Sequence, residues 1–533
     1  MYYAIKEIID NTLGVSSVLE KPRDKSFGHF ALPTFSFAKE LRKAPQIIAQ
    51  EFAQKIEILP QITNINVVNG YVNFSVSNAF LGQCAWKFLQ DEIDFKKGES
   101  KKERILLEYV SANPTGPLHI GHARGAVFGD SLVRIGRFLG HTIHAEYYVN
   151  DAGVQIEKLG KSIYYAGRHF VFGENRELPE ECYQGEYIFE LAEDARRELG
   201  ESVFESLESL ERLSLFGKDK MLIEIRNNLA QIGIFFDSYV SEKELFLQWD
   251  FTLESLKAHN GIYDRDGKLW LKSTEYGDEK DRVIVRESGE PTYLAGDVIY
   301  HKNKFERNFS HYINIWGADH HGYIARVKAA LEYLGFQSQR LEILLAQMVA
   351  LLKDGIPYKM SKRAGNFILM KDVVDEVGAD ALRLMFLSKK PDTHLEFDVN
   401  LLKRQDASNP VYYINYAHAR IHTLFSKSSF TVESFKVLSL EEFQMWDLQR
   451  DLCDLLVSAL GIGKILGDAF SQRAPNKVVD YLYALAADFH RFYNETKILK
   501  TKQEEQILKV LVVVAHSIAL GLNLLGIKAK VSM

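Results

Sequence analysis

An apolar run, Ile105-Leu106-Leu107-Glu108-Tyr109-Val110, ends in a turn rich in small and rigid residues, and a helix-like stretch then continues through Leu139. This strand–turn–helix unit opens a region, about 104 to 400, in which strand patterns alternate with helical ones. The periodicity predicts a second strand at Ile143–Val149 and further strands at Val283–Arg286, Tyr312–Trp316 and Ile343–Met348. Such alternation constrains the chain to an α/β fold of Rossmann type, a doubly wound parallel sheet with ligands at the C-terminal strand ends.

The turn after the first strand carries His119-Ile120-Gly121-His122. At that place backbone N–H groups and a helix dipole are expected to receive phosphate oxygens, and the two histidines can hydrogen-bond phosphate or ribose. Gly116, Pro117 and Gly121 allow a backbone to come close to a ligand. A second motif, Lys359-Met360-Ser361-Lys362, follows the last predicted strand and precedes Arg363-Ala364-Gly365-Asn366. Two lysines there can follow negative charge as pyrophosphate leaves. Either motif alone could be chance; in this order they describe a site that holds ATP and exposes its α-phosphate. Zinc is the competing reading of the histidine pair, but neither the other histidines nor the cysteines supply a matching cluster. His320-His321 are adjacent, so their side chains diverge. Glu108 stands among apolar neighbours and needs a partner if buried. Tyr293 and Asp297 are four apart and share a helix face. Spacing leaves open whether they form a site or only a half-buried tyrosine beside a first-turn acid. Arg404, Arg420, Arg491, Lys497 and Lys500 read as solvated helix-face charges.

At 533 residues the chain is expected to form several domains. Its 46% hydrophobic and 26% charged residues have the balance of a soluble globular enzyme. The net charge of −6 does not announce a nucleic-acid binder, and acid crowds Glu174 to Glu211, so any polyanion site must be a local patch. Cys84, Cys182 and Cys453 are scattered and odd in number, which suits a reducing cytoplasm. The first residues lack a signal-peptide layout, and no apolar run is expected to span a bilayer. Residues 1–100 read as an α+β domain, with a helix from Pro45 and a hairpin around Asn69-Gly70. The charged stretch from Lys96 to Glu103 reads as a linker, about 155–235 as helical insertion, and 401–533 as an all-α helical bundle.

These residues resemble class I aminoacyl-tRNA synthetases, and specifically the arginyl-tRNA synthetase family of bacterial type. The stretch Ser111-Ala112-Asn113-Pro114-Thr115-Gly116-Pro117-Leu118-His119-Ile120-Gly121-His122 is similar to that family's extended first motif. Tyr148-Val149-Asn150-Asp151-Ala152-Gly153, Pro291-Thr292-Tyr293-Leu294-Ala295, Gly317-Ala318-Asp319-His320-His321-Gly322 and Asn409-Pro410-Val411-Tyr412-Tyr413 resemble further blocks. Asp380-Ala381-Leu382-Arg383 resembles the tetrapeptide that names the DALR anticodon-binding domain. Many arginyl enzymes have a degenerate second motif, whereas this one is intact; the chain's end, Ala529-Lys530-Val531-Ser532-Met533, departs from the family's usual one.

The resemblance implies ATP-dependent attachment of L-arginine to tRNA(Arg) through an arginyl-adenylate. It implies a catalytic domain over 101–400, an N-terminal domain that meets the outer corner of tRNA, and a C-terminal bundle that reads the anticodon. It assigns catalysis to His119, His122, Lys359 and Lys362, and ATP binding also to Pro114, Thr115, Gly116, Leu118, Gly121, Gly317, Asp319, His320, Met360 and Ser361. Arginine would be held by Glu108, Ser111, Asn113, Glu242, Tyr293 and Asp297. ATP would arrive with Mg²⁺, with no structural metal, in a cytoplasmic monomer that has no membrane partner. The alternatives are another class I synthetase, glutaminyl or glutamyl, and a non-catalytic tRNA-binding relative. The intact ATP motifs argue against the second.

Overall fold

The computed structural model describes residues 1–91, 102–175, 177–347, 349–358, 368–443 and 448–533. The chain divides into two compact units, residues 101–404 and a unit made from both chain ends, 1–100 with 405–533.

In residues 101–404 five strands form one sheet: β1 (Arg104–Glu108), β2 (Thr142–Val149), β3 (Ser238–Ser241), β4 (His311–Gly317) and β5 (Leu341–Ala346). Their spatial order is β5-β4-β1-β2-β3, and every neighbouring pair is parallel. Ile105, Leu106 and Leu107 are wholly buried, as expected for a central strand covered on both faces. The strand order reverses between β1 and β4, so the crevice over those two C-terminal ends is where such a sheet takes its ligand. Just past β1, Val110 and Ser111 have φ of 71° and 42°. A β-branched residue in the left-handed region is strained backbone, and it occurs here where the chain leaves the sheet for the first motif.

Helix α1 (Ile120–Phe138) follows that turn. Helix α2 (Val154–Phe172) packs with Glu186–Leu199 and Leu210–Gln231 around a shared apolar core. Helix α3 (Tyr293–Glu306) leads into β4, and helix α4 (Ala379–Leu387) lies near the end of the unit. Buried Arg383 on α4 donates to Asp130 on α1 and to the carbonyl of Ile232, tying both ends of the unit together.

Two expectations are corrected. The strand predicted near Val283–Arg286 forms at Arg282–Val285, outside the parallel sheet. It pairs antiparallel with Lys268–Leu271, which pairs in turn with Ile262–Arg265. A two-residue turn at Asp266-Gly267, both with positive φ, closes that hairpin, so no crossover helix is needed. Conversely β3 was not predicted, because its four half-buried residues, Ser238-Tyr239-Val240-Ser241, show no apolar run. Its place comes from pairing with β2.

In the other unit, Phe30–Pro33, Ile62–Val68 and Tyr71–Val76 form an antiparallel sheet. Asn69 and Gly70 turn the hairpin with φ of 49° and 80°, and Pro45 starts the helix Pro45–Ile56. From residue 405 onward the described residues contain helices and no strand. Glu504–Leu524 is long and apolar enough to cross a membrane by composition, contrary to the expectation of no such run. In this unit 78% of its most apolar window is buried, the pattern of a core helix.

Candidate active site

The first motif caps α1. His119 is the N-cap, and its Nδ1 accepts the N–H of Gly121 at 3.1 Å. A neutral ring in that role carries its proton on Nε2. The rings of His119 and His122 stack with centroids 3.6 Å apart. Burial lowers the pKa of His119, while burial and then its neighbour hold His122 at about 3. Both are therefore neutral donors rather than cations. The N–H of Ile120 donates to Ile368 O at 2.9 Å and that of His122 to His119 O at 3.0 Å. With Gly121 also engaged, the backbone amides expected to receive phosphate already have protein partners. What the turn presents is imidazole and the positive end of the helix dipole. Met370 N–H donates to Leu118 O at 2.9 Å, so the motif is stitched on both sides to residues 368–370. Pro114 and Thr115 are buried, and Tyr187 Oη donates to Thr115 O at 3.1 Å beside Gly116. Lys359, Met360, Ser361 and Lys362 lie outside the described residues.

Across the crevice, Gly317 ends β4, and Asp319 and His320 follow on an exposed turn, with His320 Nε2 3.6 Å from Asp319 Oδ2. Asn113 Nδ2 donates to Gln155 Oε1 at 2.6 Å. Tyr293 starts α3 and is 57% exposed, open to approach.

One turn along α3, Asp297 meets a group of acids. Burial first, then the charges of Glu242 and Glu108, raise its pKa to about 7. Glu242 is held at about 7 as well, by burial and by Asp151, against a hydrogen bond from Tyr148. Glu242 Oε2 is buried without a hydrogen-bond partner. A Cβ on Gly296 would overlap Glu242 Oε1, so the glycine lets that carboxyl lie against α3 next to Asp297. Glu108 is 3% exposed and does have partners: Ser111 Oγ donates to Oε1 at 2.8 Å and Lys304 Nζ to Oε2 at 2.6 Å. Glu108, Ser111, Glu242 and Asp297 are thus brought together. Two neighbouring carboxyls repel when both are ionised, and a cation between them would relieve that repulsion.

Lys304, His301, Asn314, Tyr148 and Glu146 were missed. A signal existed: Asp297, His301 and Lys304 follow at i, i+4 and i+7, a polar stripe on one helix face. Among the described residues, no three His, Cys, Asp or Glu side chains converge as metal ligands.

This parallel sheet, with a histidine pair at its first strand-to-helix turn, is the catalytic fold of class I tRNA synthetases. The family model described as "tRNA synthetases class I (R), catalytic domain" matches residues 86–422. The arginyl tRNA synthetase N-terminal domain model matches 3–76 and the DALR anticodon-binding domain model 414–533. The chain is 57% identical over 534 residues to an arginine–tRNA ligase of Wolinella succinogenes, covering 100% of both. It is 53% identical over 534 residues to that of Campylobacter jejuni, covering 100% of this chain and 99% of the relative. The Thermus thermophilus arginyl-tRNA synthetase structure, 21% identical and covering 100% of both chains, shares the fold at a TM-score of 0.77. The chain belongs to the arginyl-tRNA synthetase family, and its reaction is the attachment of arginine to tRNA.

Proposed function

We propose that the crevice between β1 and β4 activates arginine in place, with each end of the substrate held by the residues just described. The observation that carries this is the pairing of Glu242 and Asp297, two carboxyls near 7 with one oxygen unpartnered. A guanidinium presents a planar fork of donors that matches carboxylates, and its charge relieves their repulsion. Tyr293 flanks that end; Glu108, Ser111 and Asn113 take the amino and carboxylate end. An amino acid without the fork leaves buried acids unpaired, which rejects it strongly.

ATP would arrive as its Mg²⁺ complex, the cation supplying charge neutralisation to the phosphates. Pro114 to Leu118 and Gly121 shape the floor, and Gly317, Asp319 and His320 face the adenosine. Arginine's carboxylate attacks the α-phosphate in line. The imidazoles of His119 and His122 donate to phosphate oxygens as charge grows, and Lys359 and Lys362, with Met360 and Ser361 between them, follow the departing pyrophosphate. A terminal ribose hydroxyl of tRNA then attacks the adenylate and releases AMP.

The tRNA is held outside the catalytic domain, its outer corner by residues 1–100 and its anticodon by the bundle after 400. In that bundle Arg420 lies over the rings of Tyr493 and Tyr416, at 4.2 and 4.9 Å, and Tyr413 lies 4.9 Å from exposed Tyr483. Aromatic faces with an arginine suit unstacked bases. The reading includes a cytoplasmic monomer, as the family resemblance implies.

The test is ATP–pyrophosphate exchange against all twenty amino acids, with and without tRNA(Arg). Exchange with arginine alone, appearing when tRNA is added, is the expected result; exchange with a different amino acid overturns the pocket.

A further inference from the structure

Three polar residues lie in one row across the buried centre of the parallel sheet: Asn314 on β4 is the register partner of Glu108 on β1, and Glu108 that of Glu146 on β2. Asn314 and Glu146 have no exposure at all, and Glu108 has 3%. Burying such a row is costly unless every member is satisfied. Each member is satisfied from α3 or the residue just beyond it. Lys304 Nζ donates to Glu108 Oε2 at 2.6 Å and to Asn314 Oδ1 at 2.9 Å. Asn314 Nδ2 donates to His301 Nε2 at 2.8 Å, and His301 Nδ1 donates back to the carbonyl of Asp297 at 2.7 Å. Tyr300 Oη donates to Glu146 Oε1 at 3.0 Å, and Arg307 takes both Glu146 oxygens, at 2.5 and 2.7 Å.

The directions of these bonds agree from end to end. His301 must be neutral with its proton on Nδ1, and burial beside Lys304 holds it so. The Asn314 amide then has one orientation, oxygen to lysine and nitrogen to imidazole. The chain of bonds runs from the peptide of Asp297 to the carboxylate of Glu108 and on to Ser111 Oγ, which accepts from the N–H of Tyr148 at 3.2 Å. Its two ends are the two ends of the proposed arginine site.

We propose that Lys304 and Asn314 are positioning residues that set the separation between Glu108 and Asp297, so that the site measures side-chain length as well as charge. The inference rests on the reading that Glu108 meets the amino end of arginine and Asp297 the guanidinium. An apolar pair could join α3 to the sheet at least as firmly, because buried ion pairs seldom add net stability over hydrophobic packing. What such a pair cannot do is hold a carboxylate at one place, neutralised on one side only.

The experiment compares arginine with homoarginine and with 2-amino-4-guanidinobutyrate, one methylene longer and one shorter, in ATP–pyrophosphate exchange with tRNA(Arg) present. Asn314→Ala removes the link, and Asn314→Asp keeps its shape while offering Lys304 a competing carboxylate. The second variant serves if the first does not fold. Both are expected to lower the preference in kcat/KM for arginine over its homologues on the order of 10-fold, through KM for the amino acid, with KM for ATP unchanged. A purely structural role predicts a lower Tm and lower activity on all three substrates with the preference intact, and that result overturns the proposal. Glu108→Gln and Asp297→Asn are run in parallel. If these two leave KM for arginine unchanged, the reading of the site itself has failed; if they raise it while the Asn314 variants keep the preference, only the gauge has.

Discussion

Asp297 and Glu242 carry the clearest chemical consequence of single residues in this protein. Without arginine both carboxyls are held at about 7, so from about pH 4 upward the folded chain keeps protons the unfolded chain has released. The stability due to that protonation is present at low pH and is lost as pH rises through about 7, by up to about 1.4 kcal/mol per pH unit for each proton. Arginine reverses the balance, because its guanidinium favours both ionised acids. Below pH 7 its binding must displace protons. KM for arginine is expected to fall about tenfold in total for each proton displaced as pH rises from 6 to 8, levelling off above about 7, and the Tm gain from arginine should grow over the same range. Asp297→Asn should flatten both curves and raise KM for arginine; an unchanged pH profile in that variant refutes the assignment. For the histidines, neutrality is the point. His119→Ala or His122→Ala should lower kcat for exchange on the order of 100-fold, about 3 kcal/mol of transition-state stabilisation, with the far-ultraviolet circular dichroism unchanged.

At the scale of elements, the close fit of α1 against the end of β1 places the first motif. A Cβ on Gly129 would stand 2.5 Å from Cγ of Tyr109. Gly129→Ala should therefore destabilise by about 1–3 kcal/mol through overpacking, seen as a lower midpoint in urea. Arg383 on α4 and Asp130 on α1 are buried and paired. Arg383→Met leaves Asp130 with Arg134 as its remaining cation, 2.7 Å away, and takes the donor from the Ile232 carbonyl, and should cost about 1–3 kcal/mol; no measurable loss in denaturant titration rejects that account. The elements were readable to different depths. An apolar run named β1, alternation through Ile143, Ala145 and Tyr147 named β2, and the Asn69-Gly70 turn named its hairpin, because these signals are local. β3 was silent in sequence, and Arg282–Val285 misled, because a four-residue strand takes its partner from its surroundings. In α3 the four-residue spacing of Tyr293 and Asp297 puts them on one face. The same stripe continued to His301 and Lys304 and went unread, since a lysine on a helix is ordinarily solvated.

For the whole molecule, one compact unit is made from both ends of the chain. Trp86 Nε1 donates to Leu438 O at 2.8 Å, and Gln90 Nε2 donates to Lys436 O at 2.5 Å, across more than 340 positions. Long loops must close before these pairings form. A chain ending at Arg404 should leave residues 1–100 without their partner surface. Limited proteolysis should then cut within 1–100 while 101–404 resists, and equal protection of both would contradict a shared unit. The sequence by itself determined the strand–turn–helix entry to the site, the histidine pair at that turn, the order of sheet-forming and helical regions, and the family. Each is carried by neighbours in the chain, where spacing and residue type are enough. Only the tertiary structure decided that Lys304 faces Glu108, that Asn314, Glu108 and Glu146 share one row, and that Glu242 lies beside Asp297. Those pairs are separated by as many as 206 positions, and whether a buried charge is neutralised, shared or left unpartnered depends on which strands and helices fold against it.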